Sequence, residues 1–252
     1  GKCVRDTLKR YNNYDHTTPN GIASILNDVR MFANANTYAM IIGCHGSGWI
    51  PKGVKNYYRT RSFGGTDTKY QIDVADLATG IMDAAMPMQF IAFDDCYMAG
   101  IEVAYELKDI TNYLIASTSE IMADGLPYQR LWKYLAATTP DYQSIVSEFH
   151  DFYSKYSYPY GTLSVIDCSQ VDNMASFMRD INVRYTFDIS RISQLQKLDG
   201  MGQTIFFDMS SYIANLCDAG DINEFDYLVK RLVPYSSHTP EIYTSLSSAN
   251  GG

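Results

Sequence analysis

The sequence predicts an α/β fold built on a parallel sheet, and three observations predict it. Apolar runs of strand length alternate with stretches of helical period. Two of the runs, residues 38–44 and 90–93, are almost continuously apolar, as strands covered on both faces are. Each of these ends abruptly in residues that can do chemistry: His45 after the first, Asp94, Asp95 and Cys96 after the second.

The elements follow in chain order. Cys3 to Leu8 reads as an edge strand. Thr18-Pro19 offers a cap followed by proline, and Ile22, Ile25, Leu26 and Val29 give an amphipathic helix from Asn20 to Phe32. The run 38–44 reads as a central strand, and His45-Gly46-Ser47-Gly48 after it as a tight turn that lets the backbone approach a ligand. Residues 50–71 are polar, aromatic and basic, and read as a long exposed loop or small hairpin. Ile72 to Met86 is a helix with Val74, Leu77, Ile81 and Met82 on one face. The strand 90–93 follows, and Met98, Ile101, Ala104, Tyr105 and Leu107 mark the next helix, which sets Cys96 at a helix N-terminus, where a thiolate is favoured.

Tyr113–Ser117 is a third strand, with a loop to Tyr128 and helices at 131–137 and 142–153. Thr162–Asp167 is a strand and 170–183 a helix; the segments 193–198, 204–216 and 222–232 are mixed or helical, with no obvious final element. Strand, helix, strand over residues 38–93 is a βαβ unit, whose right-handed crossover lays both strands parallel. His45 and Cys96 then leave the same C-terminal sheet edge, where ligands collect in open α/β sheets.

Composition bounds the function. Of 252 residues, 46% are hydrophobic and 19% charged, which suits one α/β domain or a domain with an appendage. The net charge of −8 speaks against nucleic acid as the main partner and is compatible with cationic substrates. No apolar run nears the roughly 18 residues of a membrane span. Five scattered cysteines without a CxxC pair read as mostly buried free thiols, with one at most reactive, and give no metal-like spacing.

Cys96 can serve as a nucleophile, with His45 to accept its proton and the N–H groups of Gly46 and Cys96 to hold an oxyanion. Asp94 and Asp95 raise a neighbouring thiol pKa, so they need another task, such as receiving a cationic side chain. Structural readings compete: a packed thiol, a turn histidine, an aspartate N-cap, and glycines that only permit a turn. A nucleotide- or flavin-binding doubly wound domain is a further alternative, but the glycines lack the Lys-Ser/Thr of a phosphate loop.

The strings IIGCHGSGW and FDDCYMAGIEVAYELKD resemble the signature blocks of the clostripain-like cysteine peptidases, in the clan of caspases, legumains and gingipains. RSFGGTD, QIDVADLATGI and NYLIASTSEIMADGLPYQ are similar to secreted or lipid-anchored Bacteroidetes members. The resemblance implies a caspase-like three-layer sandwich, a mostly parallel central sheet with helices on both faces, as a core over 1–160, and a C-terminal α/β extension over 161–252. It implies an endopeptidase cleaving after Arg or Lys, with His45 as general base and Cys96 as nucleophile of a dyad. Asp94 matches the acidic residue that receives the basic side chain, and Asp124 is a candidate second acidic wall.

No resident metal or cofactor is implied with certainty, although calcium is compatible with the resemblance. The partner is a peptide or protein with a basic residue, at a secreted, periplasmic or outer-membrane lipoprotein location. A catalytically inactive relative binding peptides or glycans at the cell surface is the alternative. The resemblance also creates the expectation of further strands before and after this chain, and of self-cleavage near Lys52, Lys55, Arg59, Arg61 or Lys69.

Overall fold

A computed structural model describes residues 6–12, 15–52, 70–199 and 204–243. Five strands form one sheet in the order β1 (Tyr38–Gly43), β2 (Met88–Asp94), β3 (Tyr113–Ala116), β4 (Thr162–Asp167), β5 (Tyr235–His238). β1, β2 and β3 run parallel; β4 is antiparallel to β3 and β5 antiparallel to β4. Among the described residues four strands therefore point one way and β4 alone opposes them, which makes the sheet mostly parallel.

The helices are α1 (Pro19–Phe32), α2 (Val74–Asp83), α3 (Ile101–Leu107), α4 (Tyr128–Leu135), α5 (Tyr142–Tyr153), α6 (Val171–Arg184), α7 (Met209–Leu216) and α8 (Ala219–Leu232). Thr18 caps α1 as its sequence suggests, accepting from the Gly21 N–H at 3.1 Å with Pro19 in the first turn. Two cores sandwich the sheet. One joins Ile91 and Phe93 to Leu26, Leu77, Val103, Met174 and Phe225, from α1, α2, α3, α6 and α8. The other joins Phe90 and Ala92 to Leu131, Leu135, Ile145 and Phe149 from α4 and α5. Burying both faces of β2 is what its continuous apolar run predicts.

Several expectations change. β1 lies at the edge of the described sheet, not in its middle, and its residues alternate between half-buried and exposed, with Ile41 38% exposed. Residues 6–8 of the expected first strand carry no regular structure, and its start lies outside the described residues. So does most of the 50–71 loop, including Lys55, Arg59, Arg61 and Lys69. Lys52 is described: it is paired with Asp76 and lies 3.8 Å from Asp73. The unexpected final strand β5 is short and polar. Beyond residue 160, β4 and β5 extend the same sheet. No described helix is long and apolar enough to cross a membrane.

Candidate active site

β1 and β2 are in register to their tips, with Gly43 opposite Asp94. The chain therefore leaves both strands at the same level, and the turns bearing His45 and Cys96 abut. At Gly46 an added Cβ would lie 2.1 Å from the Cys96 carbonyl oxygen, 3.0 Å from the Cys96 nitrogen and 2.9 Å from the Asp95 Cβ. Only glycine permits so close an approach. His45 is exposed, whereas Gly46, Ser47 and Gly48 behind it are buried.

Cys96 opens a turn and not a helix. α3 begins only at Ile101 behind its cap residue Gly100, so the thiol stands more than a turn ahead of the helix end, and the expected N-terminal dipole does not reach it. The turn is instead fixed by the loop after β3. Tyr97 N–H donates to the Ser119 carbonyl at 3.0 Å and Ala99 N–H to the Ser117 carbonyl at 2.9 Å. Ser117, Thr118 and Ser119 are gathered in turn on the Thr162 hydroxyl of β4, with Ser117 Oγ 2.7 Å away. Tyr97 takes the left-handed conformation, φ 62°, uncommon for a large residue and a mark of constraint at the Cys96 turn.

The sulfur has one direct donor that sequence reasoning missed: Ile121 N–H points at Cys96 Sγ from 3.4 Å. Burial nevertheless pushes the thiol up to about 11; the Ile121 bond opposes this, while Glu120, Asp95 and Asp94 add to the rise.

Asp94 and Asp95 diverge. The half-buried Asp94 carboxylate accepts from Leu126 N–H at 2.8 Å and from the Tyr128 hydroxyl at 2.8 Å. Gly125, at φ +65°, passes so close that a Cβ there would sit 2.7 Å from both Asp94 oxygens. The Tyr153 hydroxyl holds the Gly125 carbonyl at 2.6 Å. Asp124, exposed on the same loop, accepts a hydrogen bond from the Tyr156 hydroxyl. Asp95 turns inward, is 1% exposed, and accepts from the Cys44 N–H.

A second missed contribution comes from far along the chain. Phe206 stacks on Tyr97 with ring centres 4.7 Å apart, and its ring edge lies 2.8 Å from where a Cβ of Gly48 (φ +56°) would be. One Asp199 oxygen accepts from the N–H groups of Ile205 and Phe206, at 2.9 and 2.6 Å, and fixes that wedge. Phe206 therefore braces the His45 turn and the Cys96 turn at once. The only sequence sign was an apolar Ile-Phe-Phe within a polar stretch. Among the described residues no group of three or more His, Cys, Asp or Glu side chains is placed to hold a metal ion.

Comparison with known proteins fits this geometry. The family model of the clostripain family matches residues 4–230. A secreted cysteine protease of that family from Bacteroides thetaiotaomicron, iotapain, is 47% identical over 97% of this chain and 71% of its own, with a TM-score of 0.91. A clostripain from the same species, solved with the peptide inhibitor BTN-VLTK-AOMK, is 49% identical over 73% of this chain and 82% of its own, with a TM-score of 0.71. An inactive zymogen protease from Parabacteroides distasonis is 25% identical over 97% of this chain and 68% of its own, with a TM-score of 0.81. A search of curated protein sequences gives no match.

Proposed function

The chain belongs to the clostripain family of cysteine peptidases, and on that premise we propose that it cleaves peptide bonds after Lys or Arg through a Cys96–His45 dyad. The observation that carries the reading is the interlock of Gly46 with Cys96, which brings the histidine turn against the nucleophile turn. Because burial first, and then three carboxylates, raise the thiol's pKa, it needs a base at hand, and His45 is the exposed imidazole on the abutting turn.

In the proposed cycle His45 takes the thiol proton while Cys96 Sγ attacks the scissile carbonyl carbon. The oxyanion lies against the N–H groups of Gly46 and Cys96, and no turn or loop acceptor claims either amide among the described residues. Collapse breaks the C–N bond, His45 gives its proton to the leaving amine, and a thioester remains. Water, deprotonated by His45, then hydrolyses the thioester and restores the thiol.

Asp94 supplies the charge for a basic side chain: it sits two residues from the sulfur, its partners are Leu126 and Tyr128, and among the described residues no cation pairs with it. Asp124 is the outer acidic wall. The lysine-ended inhibitor belongs to the 49% identical relative, and it supports a basic preference here. Secretion, which describes iotapain, is proposed for this protein by the same kinship.

The test is hydrolysis of fluorogenic peptides ending in Lys, Arg or a neutral residue, under reducing conditions, with and without calcium, beside Cys96→Ala. Turnover of the Lys and Arg peptides alone, abolished in Cys96→Ala, is expected. Equal turnover of the neutral peptide would refute the basic preference, and activity surviving in Cys96→Ala would refute the nucleophile. The binding-module alternative is not favoured, since both reactive residues occupy abutting turns.

A further inference from the structure

We propose that Asp95 is a positioning residue for the dyad: its inward carboxylate straps the turn that presents His45 to the turn that presents Cys96. The proposal rests on the dyad reading above and assigns a part to a carboxylate which that reading leaves idle.

Three observations carry it. Asp95 lies directly between the residue that reads the substrate cation and the nucleophile, yet it is 1% exposed and cannot meet substrate. Both of its oxygens are spent on the residue before His45: Oδ1 accepts the Cys44 N–H, and the Cys44 thiol donates to Oδ2 from 3.4 Å. Its Cβ also forms part of the wall against Gly46, 2.9 Å from where a Cβ there would be. The strap therefore reaches the histidine turn on both sides of His45, through the Cys44 N–H and thiol before it and the packing against Gly46 after it. Main-chain anchoring of this kind sets where the imidazole starts from.

The strap is also charged. Burial is the main cause that raises the Asp95 carboxyl, to about 6; the Cys44 bonds oppose it and Asp94 reinforces it. The groups facing it are the Cys44 N–H and thiol from the end of β1, and Asp94 and Cys96 on its own turn. Its negative charge works against ionisation of Cys96. Loss of that charge, with the bond retained, should therefore make the thiol ionise more readily.

Two variants separate the bond from the charge. Asp95→Asn keeps an acceptor for Cys44 N–H and removes the charge; Asp95→Ala removes both. Each is measured for kcat and KM on a Lys-ended peptide, for the pH profile of kcat/KM, and for the rate of Cys96 alkylation by iodoacetamide. Asp95→Ala is expected to lose about tenfold or more in kcat with KM within about twofold. Asp95→Asn is expected to keep kcat within about threefold, to shift the acid limb of the profile, and to alkylate roughly threefold faster at neutral pH.

Wild-type kcat in a folded Asp95→Ala would overturn the strap. If that variant does not fold, Cys44→Ala decides, because it removes the thiol that Asp95 Oδ2 holds: kcat and a Cys96 alkylation rate superimposable on the wild type would overturn the proposal. Alkylation reads the thiol without turnover, so it judges the strap even if Cys96→Ala shows the dyad reading to be wrong.

Discussion

Replacing Gly46 by alanine should separate catalysis from stability. The new Cβ would start 2.1 Å from the Cys96 carbonyl oxygen, which is backbone and cannot swing aside. Cβ atoms rarely approach such an oxygen closer than about 3.0 Å, so the turns must part by about 0.9 Å. Overpacking of this size costs about 1–3 kcal/mol, and a chain of this length loses about 2–4 °C of Tm per kcal/mol. A fall of roughly 2–12 °C is therefore expected, with the protein still folded. A displacement near 1 Å between nucleophile, base and oxyanion donors costs about 100-fold in rate. The loss should fall on kcat, because Asp94 is anchored on the other side of β2 by Leu126 and Tyr128, away from the clash. Thermal melts and steady-state kinetics of Gly46→Ala on a Lys-ended peptide measure both quantities. Wild-type kcat with an unchanged Tm would refute the interlock; a raised KM with intact kcat would place the substrate cation near Gly46 and not near Asp94.

Three further outcomes follow from the geometry. Asp94→Asn keeps an acceptor for Leu126 N–H but loses the charge, so kcat/KM on Lys and Arg peptides should fall about 10- to 150-fold, the worth of a charge-assisted bond of about 1.5–3 kcal/mol; an equal fall on a neutral peptide would show a folding defect instead. Asp95 titrates near 6 in the folded chain and near 3.9 unfolded. A raised acid favours folding below its unfolded value and loses that contribution as pH climbs through about 4 to 6, so Asp95→Asn should be more stable than wild type at pH 7 by up to about 3 kcal/mol. The gap should close at pH 4; melting curves at both values showing the same gap would contradict this. Phe206→Ala removes a buried ring stacked between Tyr97 and Gly48 and should cost about 3–5 kcal/mol, read by denaturant titration; a loss below 1 kcal/mol would mean the wedge is not packed in solution.

The legible parts of the fold were those written locally. The Thr18-Pro19 start of α1 and the apolar runs of β1, β2, β3 and β4 carry their own signals. β5 did not, because Tyr-Ser-Ser-His is mostly exposed and owes its strand state to pairing with β4 and to the Ser237 hydroxyl donating to the Val146 carbonyl at 2.8 Å. The edge position of β1 in the described sheet was hidden for the opposite reason: an apolar run looks the same whether or not a neighbour covers it. Cys96 does not start the helix because residues 98–107 share a helical period while the backbone spends 96–99 in a turn that includes the left-handed Tyr97. The brace from Asp199 and Phe206 lies about a hundred residues from Cys96, and no local pattern announces a contact at that separation.

The Asp94-Asp95 pair shows how far parity alone can carry a site. Successive side chains on a strand face opposite sides of the sheet. Phe90 and Ala92 belong to the core beneath α4 and α5, and Asp94 continues that side, which is why it meets Leu126 and Tyr128. Ile91 and Phe93 belong to the opposite core, and Asp95 continues that side, where Cys44 also packs. Two identical carboxylates thus receive different surroundings from the pleat: one is half-buried against Leu126 and Tyr128, where the proposed function has it meet a cation, and the other is closed inside on Cys44. A one-residue slip of β2 would exchange them, placing the tie in solvent and the cation reader in the core. The in-register pairing of Gly43 with Asp94 is therefore as much a condition of the proposed chemistry as the presence of the thiol itself.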